Sequence, residues 1–406
     1  MIPVSVMAVG SATVSAEIKG RYGRGRPSRF TSVMRPVVFW NITYKCNLRC
    51  KHCYINAGPD VRLPELGEED VVRVADQIAS HGIPLVVFTG GEPLVSGKFW
   101  LAAERLSGRG RPKLSLSTNG TLIDGEVAGR LKRLGFAYVG VSLDSLDPRR
   151  HDEFRGVPGA WEAAVRGMRA SVEAGIPTGL RFTLTKWNVK EAPAVVDFAA
   201  KLGLRRVSIY LLDTVGRGSE IAGDLPTREQ LEGFLDDMVA KAREYAGTLE
   251  ILLVRMNWAG VYLADKLAKS REEFLDLLRL VDAQGDCGRK TVSIYPDGTV
   301  RPCQFIDYIV IGDLRRQSLA EILTPDNPRL RPFLEVHRHL RGPRCSKCPF
   351  KRVCGGGSRN RALTATGDFW GDDPTCIVDP EKVARRWSVT EDDVEKALGL
   401  RGPSHA

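Results

Sequence analysis

Nothing in the sequence approaches the ~20 consecutive apolar residues that a membrane-spanning helix needs, so no membrane association is expected. Basic residues are missing ahead of the apolar opening, Met1 to Ala16, and arrive only behind it, at Lys19, Arg21 and Arg24. A secretory leader has the opposite order, so a cytoplasmic protein is expected. The composition, 43% hydrophobic and 27% charged over 406 residues, lacks the bias of a disordered or collagen-like chain. At roughly 150 residues per domain, two or three domains are expected. A disulfide framework is missing too. The nine cysteines are odd in number and bunched towards the ends, with none between Cys53 and Cys287.

What the chain does have is a net charge of +10, mostly from Arg. Guanidinium groups make paired hydrogen bonds to carboxylate or phosphate, which points to an anionic partner. The Arg/Gly-rich segment from Lys19 to Arg29 resembles an arm for nucleic acid, but it is short and holds one aromatic residue. It reads instead as a flexible lead-in to the first strand, and no nucleic-acid partner is expected.

Short apolar runs at 37–42, 85–88, 113–117, 137–143, 179–184 and 207–212 alternate with amphipathic patterns at 68–78, 99–106, 126–134, 162–173 and 195–201. Parallel strands buried on both faces give this signature. Six β-α units in about 200 residues predict an α/β fold, a partial (β/α)6 TIM-type barrel, rather than a closed eight-stranded one. The expected organisation is a basic extension over 1–35, the partial barrel over 36–225 and a helical linker over 226–285. A cysteine-rich domain over 286–385 follows, then a helix and tail over 386–406. Thr390 and Asp393 have the spacing of a capping box at the start of that last helix.

Polar loops follow the carboxyl ends of the first four strands: Thr43 to Tyr54, Thr89 to Pro93, Thr118 to Gly120, and Asp144 to Asp147. In parallel α/β folds that rim binds ligands, so the four loops define one site. Cys46-x3-Cys50-x2-Cys53 dominates it. Three thiolates can hold three irons of a [4Fe–4S] cubane and leave the fourth iron open for substrate chemistry. A zinc site would need a fourth ligand, and His52, beside Cys53, is poorly placed to supply one. The glycines of Gly90-Gly91-Glu92-Pro93 permit close backbone approach to a ligand, and the Glu92 carboxylate suits an ammonium group.

These motifs, over about residues 36 to 215, resemble the radical S-adenosylmethionine (radical SAM) superfamily. The resemblance implies that Cys46, Cys50 and Cys53 hold the cluster and that S-adenosylmethionine (SAM) chelates its open iron. His52 takes the place of an aromatic residue lining the adenine side, next to Tyr54. Gly90, Gly91, Glu92 and Pro93 match the segment that binds the methionine amino group. Ser117, Asn119, Ser142 and Asp144 fall where strands approach the ribose and methionyl groups, although Ser and Asn there are also ordinary turn residues.

Cys287, Gly298 and Cys303, then Cys345-x2-Cys348-x5-Cys354 and Cys376, resemble the SPASM extension that carries auxiliary iron–sulfur clusters. Cys345, Cys348, Cys354 and Cys376 form a complete set for one auxiliary [4Fe–4S] cluster, and on spacing alone they equally suit a structural zinc. The fuller pattern has a further cysteine where this chain has Ser358. The second auxiliary site thus keeps only Cys287 and Cys303, which also read as two thiols facing each other across a hairpin with Asp297-Gly298 at its turn. One auxiliary cluster is expected.

A narrower resemblance rests on Pro36 to Thr43, His151 to Gly156, and the segments from Cys354 to Ala362, Thr366 to Asp368 and Asp373 to Cys376. It is to the tetrapyrrole-modifying branch, in particular the didecarboxysiroheme deacetylases. The resemblance implies removal of two ring acetates from 12,18-didecarboxysiroheme, leaving methyl groups, after hydrogen abstraction by a deoxyadenosyl radical. Removal of haem d1 side chains and decarboxylation of Fe-coproporphyrin are the alternatives within the branch. The implied partners are an anionic tetrapyrrole and an electron donor such as ferredoxin or flavodoxin. Arg155, Arg181, Arg359 and Arg361 are candidates to pair with its carboxylates, and His151, His337 and His339 to ligate its iron. A peptide maturase or sulfatase activator with the same core, and a non-catalytic iron–sulfur scaffold, are the competing classes.

Overall fold

A computed structural model describes residues 1–19, 30–281 and 286–400. The Arg/Gly segment beyond Lys19 lies outside the described residues. Eleven strands form one sheet: β1 (Ile2–Pro3), β2 (Val37–Asn41), β3 (Leu85–Thr89), β4 (Lys113–Thr118), β5 (Phe136–Ser142) and β6 (Thr178–Leu184). The rest are β7 (Arg206–Leu211), β8 (Glu250–Val254), β9 (Thr291–Ile294), β10 (Thr299–Arg301) and β11 (Gly312–Asp313). Their order is β1-β8-β7-β6-β5-β4-β3-β2-β9-β10-β11, so the sheet is open. Strands β2 to β8 run parallel, each pairing with the next. Helices follow the first six of these strands, as in any βαβ series.

All five residues of β3 are buried, because helices cover one face and the inner face is filled as well. The main core joins outward residues such as Val86, Phe88, Leu116 and Val139 to helical Val74, Ile78, Phe99 and Leu131. A second cluster fills the lower inner face: Leu85, Val87 and Tyr138 pack on Val14 and Ile18, from the helix Val14–Lys19.

Residues 1–19 are therefore not an extension. Ile2, Val4, Val6 and Met7 are fully buried, and β1 pairs antiparallel with β8 at the edge of the sheet. The helix Val14–Lys19 plugs the amino-terminal end of the barrel, where Ser15 bonds the buried Arg206–Glu250 ion pair. The region 226–285, expected to be helical throughout, contains β8 between the helices Arg228–Glu244 and Ala259–Leu267. A short apolar run carries no periodicity to separate strand from helix; here pairing with β7 decides it.

The expected hairpin forms, with Gly298 at φ +86 in its turn, but it does not stand apart. Its first strand, β9, pairs in parallel with β2, so the cysteine-rich region grows out of the same sheet. The last helix, Glu391–Ala397, has the expected capping box between Thr390 and Asp393.

Candidate active site

The three-cysteine loop leaves β2 and returns to itself at its neck, where Cys46 N donates to Gly58 O and Gly58 N to Tyr44 O. Arg217 grips it from the far side, donating to Cys50 O at 2.8 Å and Ala57 O at 2.9 Å. The end of the helix Pro148–Arg155 grips it from another side, through Arg49 N to Arg155 O and Lys51 N to Phe154 O. Polar hydrogens point at all three sulfurs. Leu48 N lies 3.4 Å from Cys46 Sγ, Ala57 N 3.3 Å from Cys53 Sγ, and Arg155 Nη1 3.6 Å from Cys50 Sγ.

This donor set fits a thiolate-ligated cluster, since such contacts stabilise sulfur-borne charge. Burial pushes the Cys46 thiol up to about 12 and raises Cys50 too. Metal must therefore displace those protons for the thiolates to form. Among the described residues no three His, Cys, Asp or Glu side chains converge as on a single metal ion. The three thiols stand on the wall of an open cavity with about 950 Å3 of space.

Of the residues assigned to SAM, His52, Tyr54, Gly90, Gly91, Ser117, Asn119 and Ser142 line that cavity, whereas Glu92, Pro93 and Asp144 do not. His52 is stacked on Phe154 with ring centroids 4.4 Å apart, and Tyr54 donates to Asn41 Oδ1 at 2.6 Å. Glu92 is fully buried. Its oxygens accept from Thr118 Oγ1 and Asn119 N, both at 2.8 Å, and from Leu94 N, so it ties the loop after β3 to the end of β4. Burial outweighs those donors and raises its carboxyl to about 7. Asp144 is likewise sunk beneath the wall, paired with Arg155 at 2.6 Å and accepting from Thr183 N.

The two glycines serve the protein as well as a ligand. A Cβ at Gly91 would overlap the Lys45 carbonyl oxygen, and one at Gly90 would meet Thr43 O at 2.7 Å, so the loop after β3 crosses directly against the cysteine loop. Gly91 N and Glu92 N donate to Thr43 O and Lys45 O in that crossing.

The arginine candidates separate by burial and partners. Arg155 lines the cavity but is committed to Asp144 and Cys50. Arg359 donates from its two Nη atoms to the carbonyls of Gly356, Phe369 and Gly371. Arg361 is fully buried and bonds Asp373, Leu212 O and Arg255 O. Neither Arg359 nor Arg361 reaches the cavity; both hold the cysteine-rich region together. Arg181 alone of the four stays available: half-buried in the cavity, it stacks over Tyr210 at 4.5 Å and has no hydrogen-bonding or acidic partner among the described residues. His151 is buried away from the cavity, its Nδ1 accepting from Asp144 N, and burial lowers it to about 4. His337 and His339 lie on the short helix Val336–His339, and His339 packs on Trp370. None of the three histidines lines the cavity. Sequence reasoning missed Arg217, Tyr210, Gln304 and Phe305, which do. Their loop or strand positions carry no motif; only the alternation that puts Tyr210 on the face of Ser208 gave a signal.

In the carboxy-terminal region Cys345, Cys348, Cys354 and Cys376 lie within electrostatic reach of one another. Burial raises all four, Cys348 to about 11 and Cys354 and Cys376 to about 12. Cys287 and Cys303 lie beside each other as a separate pair. The Arg255 guanidinium lies 3.7 Å from Cys287 Sγ and donates to Ser358 Oγ at 2.9 Å and Asp213 at 2.7 Å. A cation therefore reaches two of the positions where a second auxiliary cluster would find its ligands, and the other thiol is paired.

Comparison with known proteins agrees with this geometry. The radical SAM superfamily pattern matches residues 40–199, and that of an iron–sulfur cluster-binding domain, SPASM, matches 286–349. The chain belongs to the radical SAM superfamily, as an enzyme whose cofactors are SAM and [4Fe–4S] clusters, auxiliary clusters included. Within it the chain falls in the haem-synthesis branch. It is 34% identical to the Fe-coproporphyrin III synthase of Methanosarcina barkeri, over 94% of this chain and 99% of that one. It is 32% identical to the pre-heme d1 synthase of Dinoroseobacter shibae, over 94% of each. An AdoMet-dependent heme synthase of M. barkeri is 29% identical over 85% of this chain and 97% of that one. The fold is shared with AdoMet-bound anSMEcpe (TM-score 0.65, 17% identity, 90% of this chain and 99% of that one). It is also shared with SuiB of Streptococcus suis bound to S-adenosylmethionine (TM-score 0.64, 18% identity, 85% and 77%).

Proposed function

We propose that this enzyme removes the two ring acetates of 12,18-didecarboxysiroheme, leaving methyl groups, and so produces Fe-coproporphyrin III. The observation that carries an anionic substrate is Arg181, a guanidinium with no acid paired to it among the described residues, in the same cavity as the three thiols. Likeness to an Fe-coproporphyrin III synthase over 99% of that enzyme's length favours this product.

Cys46, Cys50 and Cys53 hold the cluster with the open iron. His52, Tyr54, Gly90, Gly91, Ser117, Asn119 and Ser142 surround SAM, and Cys345, Cys348, Cys354 and Cys376 hold one auxiliary cluster. Bound there, SAM and the reduced cluster supply a deoxyadenosyl radical, the hydrogen-abstracting agent. The protein excludes water and fixes the substrate: Arg181 takes a carboxylate, and Arg155, held by Asp144, keeps positive charge beside Cys50. The electron donor is a ferredoxin or flavodoxin, and the setting is the cytoplasm. Among the described residues no helix is long and apolar enough to cross a membrane.

The test is anaerobic reconstitution with iron and sulfide, then incubation with SAM, dithionite and 12,18-didecarboxysiroheme. Two [4Fe–4S] clusters correspond to about eight irons per chain. Deoxyadenosine with stepwise loss of two acetate groups is expected, and C46A should lose about half the iron and all deoxyadenosine. Deoxyadenosine beside an unchanged tetrapyrrole would reject the substrate.

A further inference from the structure

Gln304 is 4% exposed and lines the active-site cavity, yet its Oε1 has no hydrogen-bond partner and its Nε2 makes no hydrogen bond among the described residues. Leaving the buried Oε1 unsatisfied costs about 1–3 kcal/mol, so the group points to a missing ligand; with neither end of the amide held, it can turn its NH2 into that place and donate. The surrounding chain is the opposite of loose. Tyr295 Oη donates to the Gln304 carbonyl at 3.0 Å, and Asn360 Nδ2 donates to the Phe305 carbonyl at 2.6 Å. Phe305 touches the tilted Tyr54 ring, 5.3 Å away, and carries the Arg255 guanidinium 4.8 Å from its centroid. A free amide on a clamped backbone is the arrangement of a preorganised recognition group.

Position says which ligand it meets. Gly90, Gly91, Ser117 and Asn119 belong to the ends of β3 and β4, around the cysteine loop. Gln304 and Phe305 come from beyond β10. Phe305 touches Tyr54, after β2, and is tied through Asn360 to Asp213, after β7. The pair thus links parts of the cavity wall that follow strands five places apart in the sheet. Phe305 is half-buried and presents an aromatic ring there.

Resting on the reading of the substrate above, we propose that Gln304 and Phe305 form the substrate-recognition wall, in which the Gln304 amide donates to a ring carboxylate of the tetrapyrrole while Phe305 packs against its flat macrocycle. The auxiliary-cluster region then selects the substrate as well as binding iron and sulfur. Amide donation to a carboxylate and aromatic contact with a planar macrocycle are both ordinary recognition chemistry.

The experiment titrates reconstituted chain with 12,18-didecarboxysiroheme by absorbance, without reductant so that no turnover intervenes, and measures SAM binding in parallel. Q304L should weaken tetrapyrrole binding about tenfold, and Q304E, which sets a carboxylate against a carboxylate, should weaken it further. Q304N should recover part of the loss, and F305A should weaken binding independently. Iron content equal to the wild type certifies that each variant has folded. If wild-type chain binds and converts the tetrapyrrole while Q304L binds it equally well, this inference falls and the proposed function stands. A loss in Q304L confined to SAM binding overturns it too. If wild-type chain does not bind the tetrapyrrole, the proposed substrate falls and this wall falls with it.

Discussion

A guanidinium taken half out of water beside an aromatic ring is stabilised by the ring's negative face, but less than by a carboxylate. Arg181 is in that position. Its stem crosses β5 at Gly140, where a Cβ would lie 2.9 Å from Arg181 Cδ, and its head rests on Tyr210. R181A should raise the dissociation constant for the tetrapyrrole about 10- to 100-fold, the worth of a charged hydrogen bond of ~1.5–3 kcal/mol, and R181K should restore part of it. An absorbance titration without reductant measures both; unchanged affinity in R181A would remove Arg181 from the site. Arg361 shows why residue type alone could not choose between these arginines: it has the same chemistry but lies buried on Asp373 and two carbonyls. His151 supports a second prediction. Its folded-state value, lowered to about 4 by burial, lies below its ordinary 6.5. The unfolded chain therefore binds the proton first, and the stability that neutral His151 contributes is complete above pH 6.5 and is lost as pH falls towards 4. Thermal unfolding from pH 7 to pH 5 should show the advantage of wild type over H151N shrinking; a constant difference would contradict this.

At the scale of elements, the crossing of two loops matters most. The glycine pair at 90–91 is legible in the sequence as a place where something approaches the backbone closely. Part of what approaches is the Lys45 carbonyl, from the loop after the preceding strand, and no local pattern could name it. G91A should force the two loops apart and unseat the cysteines, so iron content should fall by about half while the cluster proposed for the four carboxy-terminal cysteines is retained. Full iron occupancy in G91A would mean the crossing tolerates a Cβ. The six expected strands occur within a residue or two of their predicted bounds, because each is a continuous apolar run between turn residues. Strand β8 was illegible for the converse reason. Its Glu250 looks like a helix surface residue, and only burial against Arg206 shows it to be an interior ion pair.

At the scale of the whole molecule, the amino-terminal segment completes the barrel. Ile2, Val4, Val6, Met7, Val14 and Ile18 are buried in it, and the terminal amine pairs with Asp286, next to Cys287. At ~1.5–3 kcal/mol per buried side chain, their loss is on the order of a domain's whole stability. Deleting residues 1–19 should therefore give insoluble protein or no cooperative melt by circular dichroism. A variant melting like wild type would restore the view of a dispensable extension. Elsewhere, Asp213 and Asp373 meet Arg255 and Arg361 in a buried charge cluster that joins the end of β7 to the cysteine-rich region.

The sequence by itself determined the class of fold and the ligands to be looked for, because both are written locally: apolar runs set strands, and thiols two or three residues apart set a metal-binding loop. It could not determine which charged groups would face the cavity. Glu92 and Asp144 follow strand ends as ligand-binding residues do, yet each is turned inwards to bond a neighbouring loop or helix. Gln304 and Phe305 carry no motif, yet the parallel pairing of β9 with β2 brings them over the site. Only packing decides where a side chain points, since it weighs the cost of burying each polar group against the partners that distant segments supply.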